Sequence, residues 1–346
     1  MRVILQPRSL FIVLSVTCVL AIWLSLALGP VSLPLMDTLR AGLRLLGVPV
    51  SGDNLEQAEL ILGQIRVPRT LLGLAVGAVL ALSGVAMQGL FRNPLADPGL
   101  VGVSSGAALG AAIAIVAGAS VGGLPDAIEP YLLSISAFAG GLIVTGIVYR
   151  LGRRDGQTSV GIMLLAGVAM TALAGSIIGL FSYLADDATL RTLTFWNLGT
   201  LNGASYTRLW PLLLVCVLVI LWLPRRAKAL NALLLGESEA RHLGIEVERL
   251  KRELVLCIAM GVGAAVAAAG LIGFVGLIVP HLVRLIAGPD HRVVLPASAL
   301  AGASLLLLAD VFARLVLAPA ELPIGIVTAL IGAPFFLFLL VRGRTG

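Results

Sequence analysis

Charge is scarce in this 346-residue chain: 12% of its residues are Asp, Glu, Lys or Arg, while 59% are hydrophobic. A water-soluble domain carries about twice that share of charge, and the mean hydropathy of +1.05 excludes a soluble globule. Lysine is nearly missing, with Lys228 and Lys251 alone. The other basic residues are arginines that form no basic face and no aromatic interleaving, so nucleic acid is not a partner. The three cysteines, Cys18, Cys216 and Cys257, lie in apolar runs without metal or disulfide spacing and read as small buried hydrophobes. The three histidines, His242, His281 and His291, form no zinc motif, and no metal is expected. A G-x-x-x-x-G-K-[ST] phosphate loop is missing too, so any ATP is bound by another chain. Polar and apolar residues do not alternate along the runs, which excludes a β-barrel.

Long apolar runs are what the chain does have. About 20 residues span the hydrocarbon core as a helix, and ten stretches qualify: roughly 9–28, 64–89, 95–117, 131–150, 159–183, 206–223, 252–270, 274–287, 293–314 and 324–341. The first is too long for a signal peptide, has no convincing cleavage site before Pro30, and reads as a retained span. Ten spans place both termini on one side. Seventeen of the 24 Lys and Arg residues then fall on that side and seven on the other. Positive residues favour the cytoplasm, so both termini are expected there. The short eighth run, which contains Pro280, is kept because nine spans would break this bias. An outer segment, 29–63, carries Asp37, Asp53, Glu56 and Glu59; the long polar insertion on the inner side is 224–251. We expect a single transmembrane domain over 1–346, with no clear internal repeat of the kind that builds many secondary transporters.

Four features stand out. From Arg66 to Gly102 the sequence reads RVPRTLLGLAVGAVLALSGVAMQGLFRNPLADPGLVG: a basic start, a glycine-rich helix with a lone Gln88, and a polar turn. Glycines at four-residue spacing (Gly73 and Gly77; Gly102, Gly106 and Gly110) allow helix backbones to approach closely. GLIGFVGLIVPH, Gly270 to His281, predicts a tight turn and then a short kinked helix; its apolar fill argues against an ion filter. Residues 231–252, NALLLGESEARHLGIEVERLKR, predict a two-helix docking loop in which Ser238 caps and Glu239 suits a helix start, although an amphipathic segment lying on the membrane has the same pattern. Asp310 and Arg314 stand at i, i+4, acid first, the favourable order for an ion pair within the membrane.

RVPRTLLGLAVGAVLALSGVAMQGLFRNPLADPGLVGVSSGAALG resembles the signature of FecCD-type permeases, the membrane subunits of ABC importers for iron-siderophores, haem and cobalamin. The resemblance continues in order through LLLAGVAMTAL, GTLNGASYTRLW, LGESEARHLGI, GLIGFVGLIVPHLVRLIAGPDHRVVLPASALAGASLLLLADVFAR and ELPIGIVTALIGAP, covering nearly everything past residue 60. It implies an all-α, ten-helix type II importer permease in the bacterial inner membrane. It also implies a homodimer with two ATPase subunits, which hold ATP and Mg, and a periplasmic binding protein. By the same resemblance, Arg66, Arg69 and Arg314 clamp glutamates of the binding protein. Gly236, Glu237, Ser238, Glu239, Ala240 and Gly244 form the loop seated in the ATPase, and Asn93 and Leu95 help close the inner end of the pathway. Thr158 to Gly161 departs from the cobalamin-type sequence and receives no role.

The stretch Ser182 to Trp210 resembles haem permeases, so haem is the expected cargo, with ferric siderophores and cobalamin as alternatives. By this topology all three histidines map to the cytoplasmic side, so the transmembrane path offers haem no histidine ligand, as suits a conduit that must release its cargo. Met87, Met163 and Met170 could meet a flat apolar ring or serve as packing. The rivals from other classes are an ion-coupled secondary transporter, which should carry unpaired acids or histidines in mid-span, and a membrane receptor, which needs no docking loop.

Overall fold

The structure is a computed structural model that describes residues 6–31, 33–51, 55–120, 129–154 and 156–343. Arg2, Asp53 and Arg344, which entered the sequence reading, lie outside the described residues. The elements in chain order are α1 (Pro7–Ala27), α2 (Leu35–Leu45), α3 (Leu55–Leu60), α4 (Val67–Phe91), α5 (Val103–Ser120), α6 (Glu129–Gly152), β1 (Arg153–Arg154), β2 (Gln157–Thr158), α7 (Val160–Leu184), α8 (Asp187–Asn197), α9 (Tyr206–Trp222), α10 (Ala227–Leu235), α11 (Glu237–His242), α12 (Val247–Ala269), α13 (Val275–Ala287), α14 (His291–Leu315) and α15 (Ile324–Gly343). Among the described residues, seven helices are long and apolar enough to cross a membrane. Three shorter apolar helices, Val103–Gly118, Val275–Ala287 and Ile324–Phe338, fall in the other three ranges expected from sequence.

Helix α4 is the axis of the bundle. It packs against α14, α12, α13 and α9, and 89% of its apolar window is buried. The chain reaches it through α3 and a single wide π-turn, Ile61–Arg66, in one helix running from Leu55, and Pro68, which has no amide to donate to the preceding turn, follows directly. Small residues explain the tightness. A Cβ on Gly77 would strike the carbonyl of Gly302 in α14, and one on Gly302 would strike the carbonyl of Gly77. Lipid drives no hydrophobic association between helices, so this backbone-to-backbone contact is what holds the pair together. Gly106 of α5 and Gly140 of α6 meet in the same way.

Two local expectations need correction. The third span does not start at 95. Residues 93–102 form a turn followed by a 3-10 helix, Pro98–Val101, with the Asp97 carboxylate accepting from the Gly99 amide and Gly102 left-handed at φ +78. Gly102 therefore ends a turn and is not part of the helical glycine row. Ser238 does not cap α11. The N-cap is Gly236 at φ +125, and Ser238 is already the second helical residue. The Gly270 turn agrees with the sequence: Gly270 is left-handed (φ +71), as is Phe274 (φ +67), and α13 follows with Pro280 inside it.

Candidate functional site: two polar ends of one bundle

The first end gathers charge where α1, α4 and α14 meet. The sequence placed Arg66, Arg69 and Arg314 on an outward face; the structure buries them, at 3%, 6% and 2% exposure. Arg66 donates to the carbonyls of Leu26, Ala27 and Val31 at 2.7, 2.8 and 2.6 Å, holding the end of α1. Arg69 reaches Asp310 at 2.9 Å and Glu321 at 3.0 Å. Arg314 meets Asp310 at 3.1 Å and donates to Ser25 Oγ at 3.2 Å and the Leu28 carbonyl at 3.2 Å. The Asp310–Arg314 contact therefore exists, but not as the self-contained local pair of the sequence reading, because Arg69 shares the carboxylate. The physical reason is burial. A guanidinium removed from water needs acceptors for its fixed fork of donors, and the folded chain supplies them. Three guanidiniums and two carboxylates gather here, with Arg66 on backbone carbonyls and Arg69 and Arg314 on the carboxylates, leaving one net positive charge. Glu321, 20% exposed at its side chain, lines an open cleft with Pro30, Arg191, Phe195, Trp196 and Asn202. Nothing in the sequence pattern marked Glu321 or Ser25.

The opposite end of α4 carries Gln88. It donates to the Leu277 carbonyl at 3.0 Å and accepts from Arg284, so the lone polar residue ties α4 to α13. Arg92 then closes α4 in a left-handed cap at φ 48. Asn93, exposed, folds the turn by accepting from the Leu95 amide at 2.9 Å. Desolvation raises the Asp97 carboxyl above its ordinary range, partly offset by the Gly99 amide. Asn93 and Leu95 thus belong to one hydrogen-bonded turn. Gly236 lies beside the Arg92 guanidinium.

Helices α10 and α11 form the two-helix segment expected from residues 231–252. Gly236 separates them and Gly244, at φ +80, turns the chain back into α12. Ala240 is fully buried and its carbonyl accepts from the Ile245 amide, so the segment is a compact knuckle. At the base of α10, Asn231 donates to Asp290 at 2.7 Å and accepts from the His291 amide at 2.9 Å. The Arg292 amide, then Asn231, hold the Asp290 carboxyl below the usual range.

From residue 17 to residue 342 the chain matches the model of the FecCD transport family. The chain belongs to that family. It is 47% identical over 284 residues to the hemin transport system permease protein HmuU of Yersinia pestis, covering 81% of this chain and 83% of that protein. It is equally 47% identical over 288 residues to the vitamin B12 import system permease protein BtuC of Escherichia coli O9:H4 (strain HS), covering 83% of this chain and 86% of that one. Among solved structures it resembles an inward-facing ABC transporter of the type assigned to metal chelates, with a TM-score of 0.83 and 33% identity, covering 97% of this chain and all of that one. The fold is shared at TM-score 0.54 and 19% identity with PsaBC of Streptococcus pneumoniae, solved in complex with a Fab, over 82% of this chain and 94% of that one. This FecCD protein is therefore an all-α ABC importer permease, a transport subunit and not an enzyme. That membership sets aside the ion-coupled transporter and the receptor.

Proposed function

We propose that this FecCD permease moves haem across the bacterial inner membrane. Two copies form the pathway, and both chain termini lie in the cytoplasm. The whole chain acts as one transmembrane domain. A periplasmic binding protein delivers cargo at the Arg69 end, and two ATPase subunits, carrying ATP and Mg, seat the α10–α11 knuckle, including Gly236, Glu237, Ser238, Glu239, Ala240 and Gly244. Asn93 and Leu95 close the inner mouth between deliveries.

The observation that carries this reading is the opposition of the two ends along α4. One end is a cationic cluster with an exchangeable carboxylate, the other a hinged, partly exposed knuckle. Burial supports the second copy. Only 17% of the apolar window of α7 is covered within the chain, leaving a face of Leu165, Val168, Leu173 and Leu180 open. Docking on Arg69 follows from exchange: a partner glutamate replaces Glu321, the least buried member of the cluster, and inherits a bidentate grip. Arg66 and Arg314 serve docking by fixing the ends of α1 and α14 around Arg69. Haem is supported by the likeness to HmuU and by the 182–210 stretch; equal identity to BtuC favours cobalamin as the second reading.

The test is uptake into proteoliposomes holding this chain, its ATPase and its binding protein, with haem, cobalamin and a ferric siderophore supplied separately. ATP-dependent accumulation of haem alone is the expected result. Accumulation of cobalamin without haem would overturn the cargo assignment, and accumulation of none the importer reading.

A further inference from the structure

Lys251 is one of only two lysines in the chain and lies in α12, with 1% exposure. A buried ammonium has three protons to place and a large desolvation cost if any is left over. Here all three find acceptors, each on a different element. They are the Glu237 carboxylate of α11 at 2.8 Å, the Thr158 carbonyl of β2 at 2.9 Å and the Glu248 carboxylate of α12 at 3.1 Å. Glu248 closes the ring by accepting from the Thr158 amide at 2.8 Å. Arg241 flanks the same two carboxylates at 3.6 and 3.9 Å.

The position of Thr158 gives the ring its consequence. The β1–β2 hairpin is the connection between α6 and α7, and Ser159, the next residue, is the N-cap of α7. The ring therefore joins the first helical residue of α11 to the residue just before the α7 N-cap. Helix α7 is sparsely buried and packs against α5, α6, α8 and the Pro98–Val101 turn that follows Asn93 and Leu95. A rigid linkage of this kind, through fully satisfied buried polar groups, fixes the register between elements.

We propose that Lys251 is the positioning residue that carries displacement of the ATPase-seated knuckle to α7 and, through it, to the inner mouth. The proposal rests on the functional reading above. Push or pull on Glu237 moves the ammonium, and the ammonium moves the Thr158 carbonyl, because the half-exposed Arg241, at 3.6 Å from Glu237, holds that carboxylate less closely than the buried ammonium at 2.8 Å.

The experiment uses the assembled importer and Lys251→Met, which keeps the apolar stem and removes the charge. ATP hydrolysis should stay within about twofold of the parent, while uptake per ATP falls about tenfold, the usual size of a coupling between sites. Glu248→Gln, on α12 and outside the ATPase-seated loop, should produce a smaller loss in the same sense, and the double variant should be no worse than Lys251→Met alone. Unchanged uptake per ATP, multiplied losses in the double variant, or hydrolysis and uptake falling in proportion would each overturn the proposal. Amide exchange on the isolated chain separates this from the functional reading. Lys251→Met should speed exchange in residues 156–160 and in α11, with the core of α4 unchanged, and unaltered exchange there refutes the tie. If the parent importer shows no ATP-driven uptake, the functional reading fails and the exchange result still decides the role of Lys251.

Discussion

Asp310 is the strongest lever on the stability of the outer cluster. Its side chain is 1% exposed and faces Arg69 at 2.9 Å and Arg314 at 3.1 Å. Asp310→Asn preserves the shape and removes the charge. Breaking a buried ion pair by neutralising one partner costs about 3–5 kcal/mol. The lower figure applies here, since Arg69 keeps Glu321 at 3.0 Å and Arg314 keeps Ser25 and Leu28. We therefore expect a loss of about 3 kcal/mol, read by equilibrium unfolding in mixed micelles. The same reasoning predicts rescue: Asp310→Leu with Arg69→Met and Arg314→Met removes the buried charges together, leaves the more exposed Glu321 to solvent, and should recover most of that loss, because an apolar replacement of a whole buried ion cluster is close to neutral. An Asp310→Asn penalty under 1 kcal/mol, or a triple variant less stable than the single one, refutes the claim that this cluster is held by mutual charge compensation.

Two further outcomes follow from the geometry. Glu321→Gln removes the carboxylate that occupies Arg69, so affinity for the binding protein should rise about fivefold or more at low salt, a gain that fades as salt screens it; titration of the two purified partners measures this, and weaker binding would refute the exchange. Asp290 has a folded-state pKa held below its unfolded value, so its contribution is present above the unfolded pKa of about 3.9 and is lost as pH falls through the folded value. Asp290→Ala should therefore lower stability by about 1 kcal/mol at neutral pH, as loss of an N-cap does, and the gap between variant and parent should close on acidification. A gap that widens in acid refutes the assignment.

Hydropathy made the helical runs legible, because burying backbone in lipid leaves the chain little choice but helix. The family signature made the two polar ends legible. What the sequence hid is how each polar group is satisfied. Arg66 and Arg69 were expected in the same clamp, yet one secures α1 and the other binds carboxylates 241 and 252 residues away in sequence. Lys251 was conspicuous by rarity, but its acceptors Thr158 and Glu237 become neighbours only when the hairpin and the knuckle fold onto α12. The start of α5 was misplaced because Pro98 and Gly102 can each sit at a helix end or in a turn, and hydropathy does not distinguish them. Ser238 failed as a cap for a similar reason: a glycine at positive φ one position before Glu237 fixes where the helix begins.

The unequal burial of α4 and α7 divides the protein into a mast and a rudder. With 89% of its apolar window enclosed and its backbone pressed onto α14 at Gly77 and Gly302, the mast cannot turn without taking α14 along. The rudder, 17% enclosed within its own chain, is held by that chain far less. Spin labels on the α4–α14 pair should report one distance throughout a transport cycle, and labels on the α7 helices of the two copies are the ones that will read the stroke.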